Sequence, residues 1–169
     1  ALTALLSSGR HPVVTLTGIG GIGKTTLARA IATSLQPAFP APSIWISLTA
    51  DSDPLSLRRD LGYALGGDGS DDDTALRIRE RAETGPSLLV IDGADSLAIG
   101  PALTTLIGEW PRLHILVTAR MPLQIPGECI VPLDPLAISP AAQLFLQRWE
   151  SLPPSPHRQP STSPSRTAA

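Results

Sequence analysis

Val13-Val14-Thr15-Leu16-Thr17-Gly18-Ile19-Gly20-Gly21-Ile22-Gly23-Lys24-Thr25-Thr26 is the stretch on which the reading of this chain turns. Its first five residues are apolar or β-branched and predict a short strand. From Lys24 to Leu35 the spacing becomes helical, with Leu27, Ile31 and Leu35 on one face. Between strand and helix, residues 18–25 match G-x-x-x-x-G-K-[ST], the pattern of a phosphate-binding loop. Four fixed positions arise by chance in about one chain in two hundred of this length, and the strand–loop–helix context makes the match more specific still.

Each residue type has a physical reason to be there. Gly18, Gly20, Gly21 and Gly23 let the backbone turn tightly and aim its N–H groups inward. The helix that begins near Lys24 adds the positive end of its dipole. Lys24 is expected to reach the β- and γ-phosphates, Thr25 to hold Mg²⁺ through its hydroxyl, and Thr26 to add a hydroxyl at the α-phosphate. Lys24 is also the only lysine among the 13 basic residues; the other cations are arginines. A compact ammonium fits between phosphate oxygens where a planar guanidinium would be bulky.

Working outward, strands and helices alternate. Ser43–Leu48, Ser87–Ile91, His114–Thr118 and Cys129–Val131 read as strands. Pro54–Leu65 reads as a helix with Asp53 as N-cap and Pro54 at its first position. Thr74–Glu83, Pro101–Trp110 and a last segment from Pro140 to about Trp149 are further helices, and residues 66–73 read as a polar loop. Strands that are apolar on both faces and separated by helices imply an α/β fold with a parallel sheet covered on both sides.

Leu88-Leu89-Val90-Ile91-Asp92 is an apolar strand ending in an acid. Behind a phosphate loop this is the form of an element whose carboxylate orients a Mg²⁺-bound water. Many hydrolytic ATPases of this type place a second acid directly after that aspartate; here Gly93 stands there, and the next carboxylate is Asp95. Asp95 could act as the base for an attacking water, or could equally cap the turn into Ser96. Arg120 closes the apolar strand Ile115–Thr118 by way of Ala119. At the C-terminal edge of a parallel sheet it could contact a γ-phosphate, or it could be a surface arginine paired with an acid. The chain has no asparagine, so it cannot contain the Asn-Lys-x-Asp element usual in guanine-specific phosphate-loop proteins; adenine is the expected base.

Composition narrows the rest. In 169 residues, 42% are hydrophobic and 17% charged, which suits one globular domain with a substantial core. The net charge of −2 comes without a basic stripe, so no direct nucleic-acid contact is expected from this segment. No apolar run reaches the ~18 residues of a membrane span. The lone Cys129 forms no internal disulfide, and a reducing cytoplasmic setting fits; it reads as a small core hydrophobe. His11, His114 and His157 are scattered without metal spacing. Residues 151–169 carry five prolines, five serines and one large apolar residue, Leu152. Ordering them would cost roughly 20–40 kcal/mol, and burying Leu152 would return about 2. The expectation is a domain over residues 1–150 followed by a disordered tail over 151–169.

Taken together, the motifs resemble a known family. Thr15–Ala28, Leu88–Asp95, Ile115–Glu128 and Pro132-Leu133 through Ala141–Leu146, in that order, resemble the ATPase core of STAND-class P-loop NTPases, the group that includes NB-ARC domains. The bacterial branch in transcriptional regulators of the LuxR and SARP types is most similar. The resemblance covers about residues 10–150, and the stretch Thr118–Phe145 is the part most particular to it. It implies a three-layer sandwich around a five-stranded parallel sheet, with the P-loop strand near the centre. It makes Arg120 a sensor arginine and puts Asp95 where this branch often carries an acid, with Gly93 in place of an asparagine. It implies ATP/ADP and Mg²⁺ as ligands, slow hydrolysis through Lys24, Asp92, Asp95 and Arg120, and self-association or a regulatory protein partner. Family members continue into helical and winged-helix domains that close over the nucleotide. This chain ends before them and lacks an initiator methionine, so the expectation is a truncated core. Two other readings remain: a binding module that does not hydrolyse, and a remnant without independent function.

Overall fold

A computed structural model describes residues 11–49, 51–96 and 98–135, with Leu6 and Gln143 as isolated positions. The expected helix over 140–149, the domain limit at 150 and the tail over 151–169 lie outside the described residues. All elements below belong to one unit, Ala1–Asp134.

Five strands form one sheet: β1 (Val13–Thr17), β2 (Ile44–Ser47), β3 (Ser87–Asp92), β4 (Leu113–Ala119) and β5 (Glu128–Pro132). All pair in parallel, in the order β2-β3-β4-β1-β5. The P-loop strand β1 is therefore next to the central strand, which is β4. Four helices connect them: α1 (Lys24–Leu35), α2 (Pro54–Ala64), α3 (Asp71–Glu83) and α4 (Ile99–Glu109).

Alternation along each strand sends side chains to opposite faces. Leu89, Ile91, Ile115 and Val117 join Leu57, Leu61, Ile78, Leu103 and Trp110 in a core beneath α2, α3 and α4. Leu88, Val90, Leu116, Val14 and Leu16 join Ala28, Ile31 and Leu35 in a second core beneath α1. Both faces are covered, which is why the strands read as unbroken apolar runs. The expected three-layer α/β sandwich with a five-stranded parallel sheet is the fold observed.

Local signals set most boundaries. Asp53 accepts from the backbone N–H of Ser56, and Ser56 in turn accepts from the backbone N–H of Asp53, completing a capping box at α2. Helix α3 begins at Asp71, three residues earlier than expected, because the Ser70 hydroxyl caps it and three aspartates occupy its first turn. Helix α4 begins at Ile99, so Pro101 falls at its third residue. There the absent N–H costs nothing, since first-turn donors have no intrahelical partner. Arg58 ties the three helices of this layer together, bonding Asp71 of α3 and, at 2.9 Å, Glu109 of α4. Cys129 is half-buried against the α1 core, in keeping with a packing role.

Candidate functional site

The register of the sheet brings three chain segments to one edge. Gly18 follows β1, Asp92 ends β3, and Thr118 is the penultimate residue of β4. Because β4 lies between β1 and β3, its tip stands between the loop and the acid.

Gly18 and Gly23 serve different purposes. Gly18 has φ 153°, and a Cβ there would stand 2.9 Å from the Leu133 carbonyl oxygen, so its role is close packing against the exit of β5. Leu133 holds that position by donating its N–H to Thr17 at 2.8 Å. Gly23 has φ 99°, a left-handed conformation that lets the loop turn directly into α1. At Gly20, Gly21 and Gly23 an added Cβ would meet no atom within 4 Å, so the space over the loop is open.

The start of α1 is the decisive local feature. Gly23 is its N-cap and supplies no side-chain cap, and no acid occupies the first turn. The first backbone bond of the helix is Leu27 N–H to Gly23 O at 2.9 Å. The N–H groups of Lys24, Thr25 and Thr26 thus have no intrahelical acceptor. At α2 and α3 a side chain takes one such N–H, Asp53 accepting from Ser56 and Ser70 from Asp73, whereas α4, like α1, has no side-chain cap. An uncapped helix start facing open space is suited to an anion.

Side chains complete the arrangement. Lys24 Nζ donates to the carbonyls of Gly18, at 2.8 Å, and Ile19, at 3.0 Å, which anchors the ammonium across the loop. Thr25 Oγ1 donates to Asp92 Oδ1 at 2.7 Å, although the two residues are 67 positions apart in sequence. Thr118 Oγ1 donates to the same oxygen at 2.6 Å and accepts from Gly93 N–H at 2.9 Å. Asp92 is therefore oriented by two hydroxyls, one from α1 and one from β4. Thr26 is exposed at the third position of α1. Thr118 was not among the residues expected from sequence to contribute; its signal was a hydroxyl at the end of an apolar strand, without the strand order that gives it meaning.

Asp95 and Arg120 meet each other. Asp95 Oδ1 accepts from the backbone N–H of Arg120 at 2.7 Å, and Asp95 Oδ2 lies 3.1 Å from Arg120 Nε. The Arg120 side chain is 71% exposed. The loop behind Asp95 is pinned to β4, since Gly93 and Ala94 both donate to the Thr118 carbonyl, at 3.1 and 2.9 Å. Gly93 itself has φ 83°, and a Cβ there would stand 3.0 Å from the Leu48 carbonyl oxygen. A second acid directly after Asp92 would be strained in this turn.

The donor set fits a hard divalent cation held together with phosphates. Thr25 spends its proton on Asp92, so its lone pairs are free; Asp92 adds carboxylate oxygens. A hydroxyl and one carboxylate, with phosphate oxygens and waters completing the shell, is the way Mg²⁺ is commonly bound.

The chain is similar to several known proteins in sequence and fold. A family model described as an AAA domain matches residues 8–125. The regulatory protein AfsR of Streptomyces coelicolor is 34% identical over 151 residues, covering 82% of this chain and 15% of AfsR. The chain thus spans less than a fifth of the relative it matches. Among solved structures, a Signal Transduction ATPase with Numerous Domains (STAND) protein with a tetratricopeptide repeat sensor, from Pyrococcus horikoshii, superimposes with a TM-score of 0.55. It is 24% identical and covers 90% of this chain and 25% of that one. Cdc6p of Pyrobaculum aerophilum superimposes with a TM-score of 0.69 at 17% identity, over 88% of this chain and 47% of that one. These two structures share the fold, and the resemblance to regulator ATPase cores read from the sequence is borne out. The chain belongs to the AAA domain family, as a P-loop ATPase-type domain of the kind carried by regulators such as AfsR.

Proposed function

We propose that this chain is a Mg²⁺-dependent ATP/ADP-binding domain of a signalling or transcriptional regulator, and that it hydrolyses ATP slowly. The observation that carries the reading is the uncapped start of α1 beside the Thr25–Asp92–Thr118 cluster. In this account the loop N–H groups and Lys24 hold the phosphates. Thr25 and Asp92 hold Mg²⁺, which when bound withdraws charge from the phosphate oxygens. Arg120 stands at the sheet edge as the candidate contact for the γ-phosphate, Thr26 as a further phosphate contact. The absence of asparagine supports adenine over guanine. The setting is cytoplasmic, where these nucleotides are abundant, and the bound state would be read by a regulatory partner or a second copy.

A second reading, binding without hydrolysis, is favoured by Gly93 standing where a water-activating acid is usual. Phosphate release from Mg-ATP by the purified chain, with Asp92→Ala as control, separates the two. Release that is slow, at well under one turnover per second, and lost in Asp92→Ala supports the ATPase. Tight Mg-ATP binding with no release supports the module. Equal affinity for guanine and adenine nucleotides would refute the base assignment.

A further inference from the structure

We propose that Asp95 is a positioning residue for Arg120 and thereby sets preference for nucleotides that carry a γ-phosphate. This deepens the nucleotide-binding reading and rests on it. Asp95 grips Arg120 at two points, accepting from its backbone N–H at 2.7 Å and facing its Nε at 3.1 Å. The contact at Nε leaves the Nη protons to another acceptor. Without Asp95 an arginine side chain this exposed would sample many rotamers. The ion pair at Nε narrows that range, so less freedom is lost when the side chain meets a phosphate. The grip also joins two parts of the site. Asp95 donates its own N–H to the Gly93 carbonyl at 2.8 Å, and Gly93 and Ala94 are bonded to Thr118, the residue that orients Asp92. A γ-phosphate that engaged Arg120 would therefore act on the segment that carries the metal-binding acid.

The same geometry gives Asp95 a partner in Arg120, beside the two roles, water base or cap of the turn into Ser96, that the sequence left open. One carboxylate oxygen is committed to a backbone N–H and the other to a guanidinium. Each oxygen of the carboxylate thus has a partner on Arg120. In this proposal Asp95 acts by orienting Arg120.

The test is calorimetric titration of the full chain with Mg-ADP and with a non-hydrolysable Mg-ATP analogue. Asp95→Asn keeps the oxygen that accepts from Arg120 N–H and removes the charge that holds Nε. It should weaken the ATP analogue about threefold, as expected for a partly exposed ion pair, and leave ADP within about twofold. Arg120→Ala should weaken the analogue by about tenfold with the same indifference in ADP. The double variant should match Arg120→Ala alone, because Asp95 acts only through Arg120. If Asp95→Asn does not fold, Arg120→Lys, which keeps the charge but lacks the Nε fork, should lose the same preference. An unchanged ATP:ADP ratio in Asp95→Asn, an equal loss for both nucleotides, or additive effects in the double variant would overturn the inference while leaving nucleotide binding intact. Failure of the wild type to bind either nucleotide would overturn the underlying reading and this inference with it.

Discussion

Replacing Thr118 by valine tests the arrangement at the sheet edge with almost no change in shape. The side chain is 1% exposed, so the substitution leaves no large cavity. It removes one donor to Asp92 Oδ1, at 2.6 Å, and one acceptor of Gly93 N–H, at 2.9 Å. A hydrogen bond to a charged acceptor contributes about 1.5–3 kcal/mol. Two compensations reduce the loss: Asp92 keeps Thr25 at 2.7 Å, and Gly93 N–H keeps the Thr118 carbonyl at 3.1 Å. The expected destabilisation is about 1–2 kcal/mol, which for a domain of this size lowers the melting temperature by roughly 4–8 °C. The functional effect should be separable. With one of its two orienting hydroxyls gone, Asp92 is held by Thr25 alone, and Mg-ADP affinity should fall about three- to tenfold. Thr118→Ser, which keeps the hydroxyl, should recover most of that affinity. Urea melts and calorimetric titration in Mg²⁺ and in EDTA provide the readouts. A valine variant as stable as wild type, with unchanged Mg-ADP affinity, would show that Thr118 does not organise the site.

Three further perturbations follow from local geometry. Gly18→Ala should cost about 1–3 kcal/mol in a urea melt, because φ 153° is unfavourable for alanine and the Leu133 carbonyl must retreat. Gly20→Ala, whose Cβ meets nothing, should leave stability within about 0.5 kcal/mol yet weaken nucleotide binding by intruding on the open space. His114 is half-buried against the edge of Phe39, and desolvation pushes its pKa below 6.5, partly countered by a hydrogen bond that the imidazole donates to the Leu6 backbone carbonyl. The folded state therefore resists protonation more than the unfolded chain does. The stability His114 provides is complete above pH 6.5 and lost as pH falls from there through the lower folded-state value. Urea midpoints at pH 7.5 and 5.5 should converge more closely in His114→Gln than in wild type; an equal drop in both would remove the assignment.

The fold was largely readable because its signals are local. Helix α1 spans Lys24–Leu35 as the periodicity predicts, and the Asp53–Pro54 pair marks the start of α2. The expected start of α3 falls three residues late although its signal, Ser70 before three aspartates, is present: the end of the polar run 66–73 has loop composition but forms a capped first turn. The phosphate loop was legible for the same reason: eight consecutive residues contain it. What the sequence hides is adjacency between strands. Nothing in the chain says that β4 lies between β1 and β3, and without that order Thr118 is one buried threonine among several. The Asp95–Arg120 pairing is hidden likewise: spacing offered each residue two roles, and only the 25-residue closure onto the tip of β4 brings them together.

On the proposed function, Lys24 and the uncapped start of α1 hold the phosphates of an adenine nucleotide. Calorimetric titration of the full chain with Mg-ADP, in parallel with Lys24→Ala, tests it most directly. One nucleotide per chain and a ten- to hundredfold weaker affinity in the variant are expected, the loss of one charge-assisted contact of about 1.5–3 kcal/mol. Lys24→Ala binding Mg-ADP as tightly as wild type, or a wild-type chain that binds none, would contradict it.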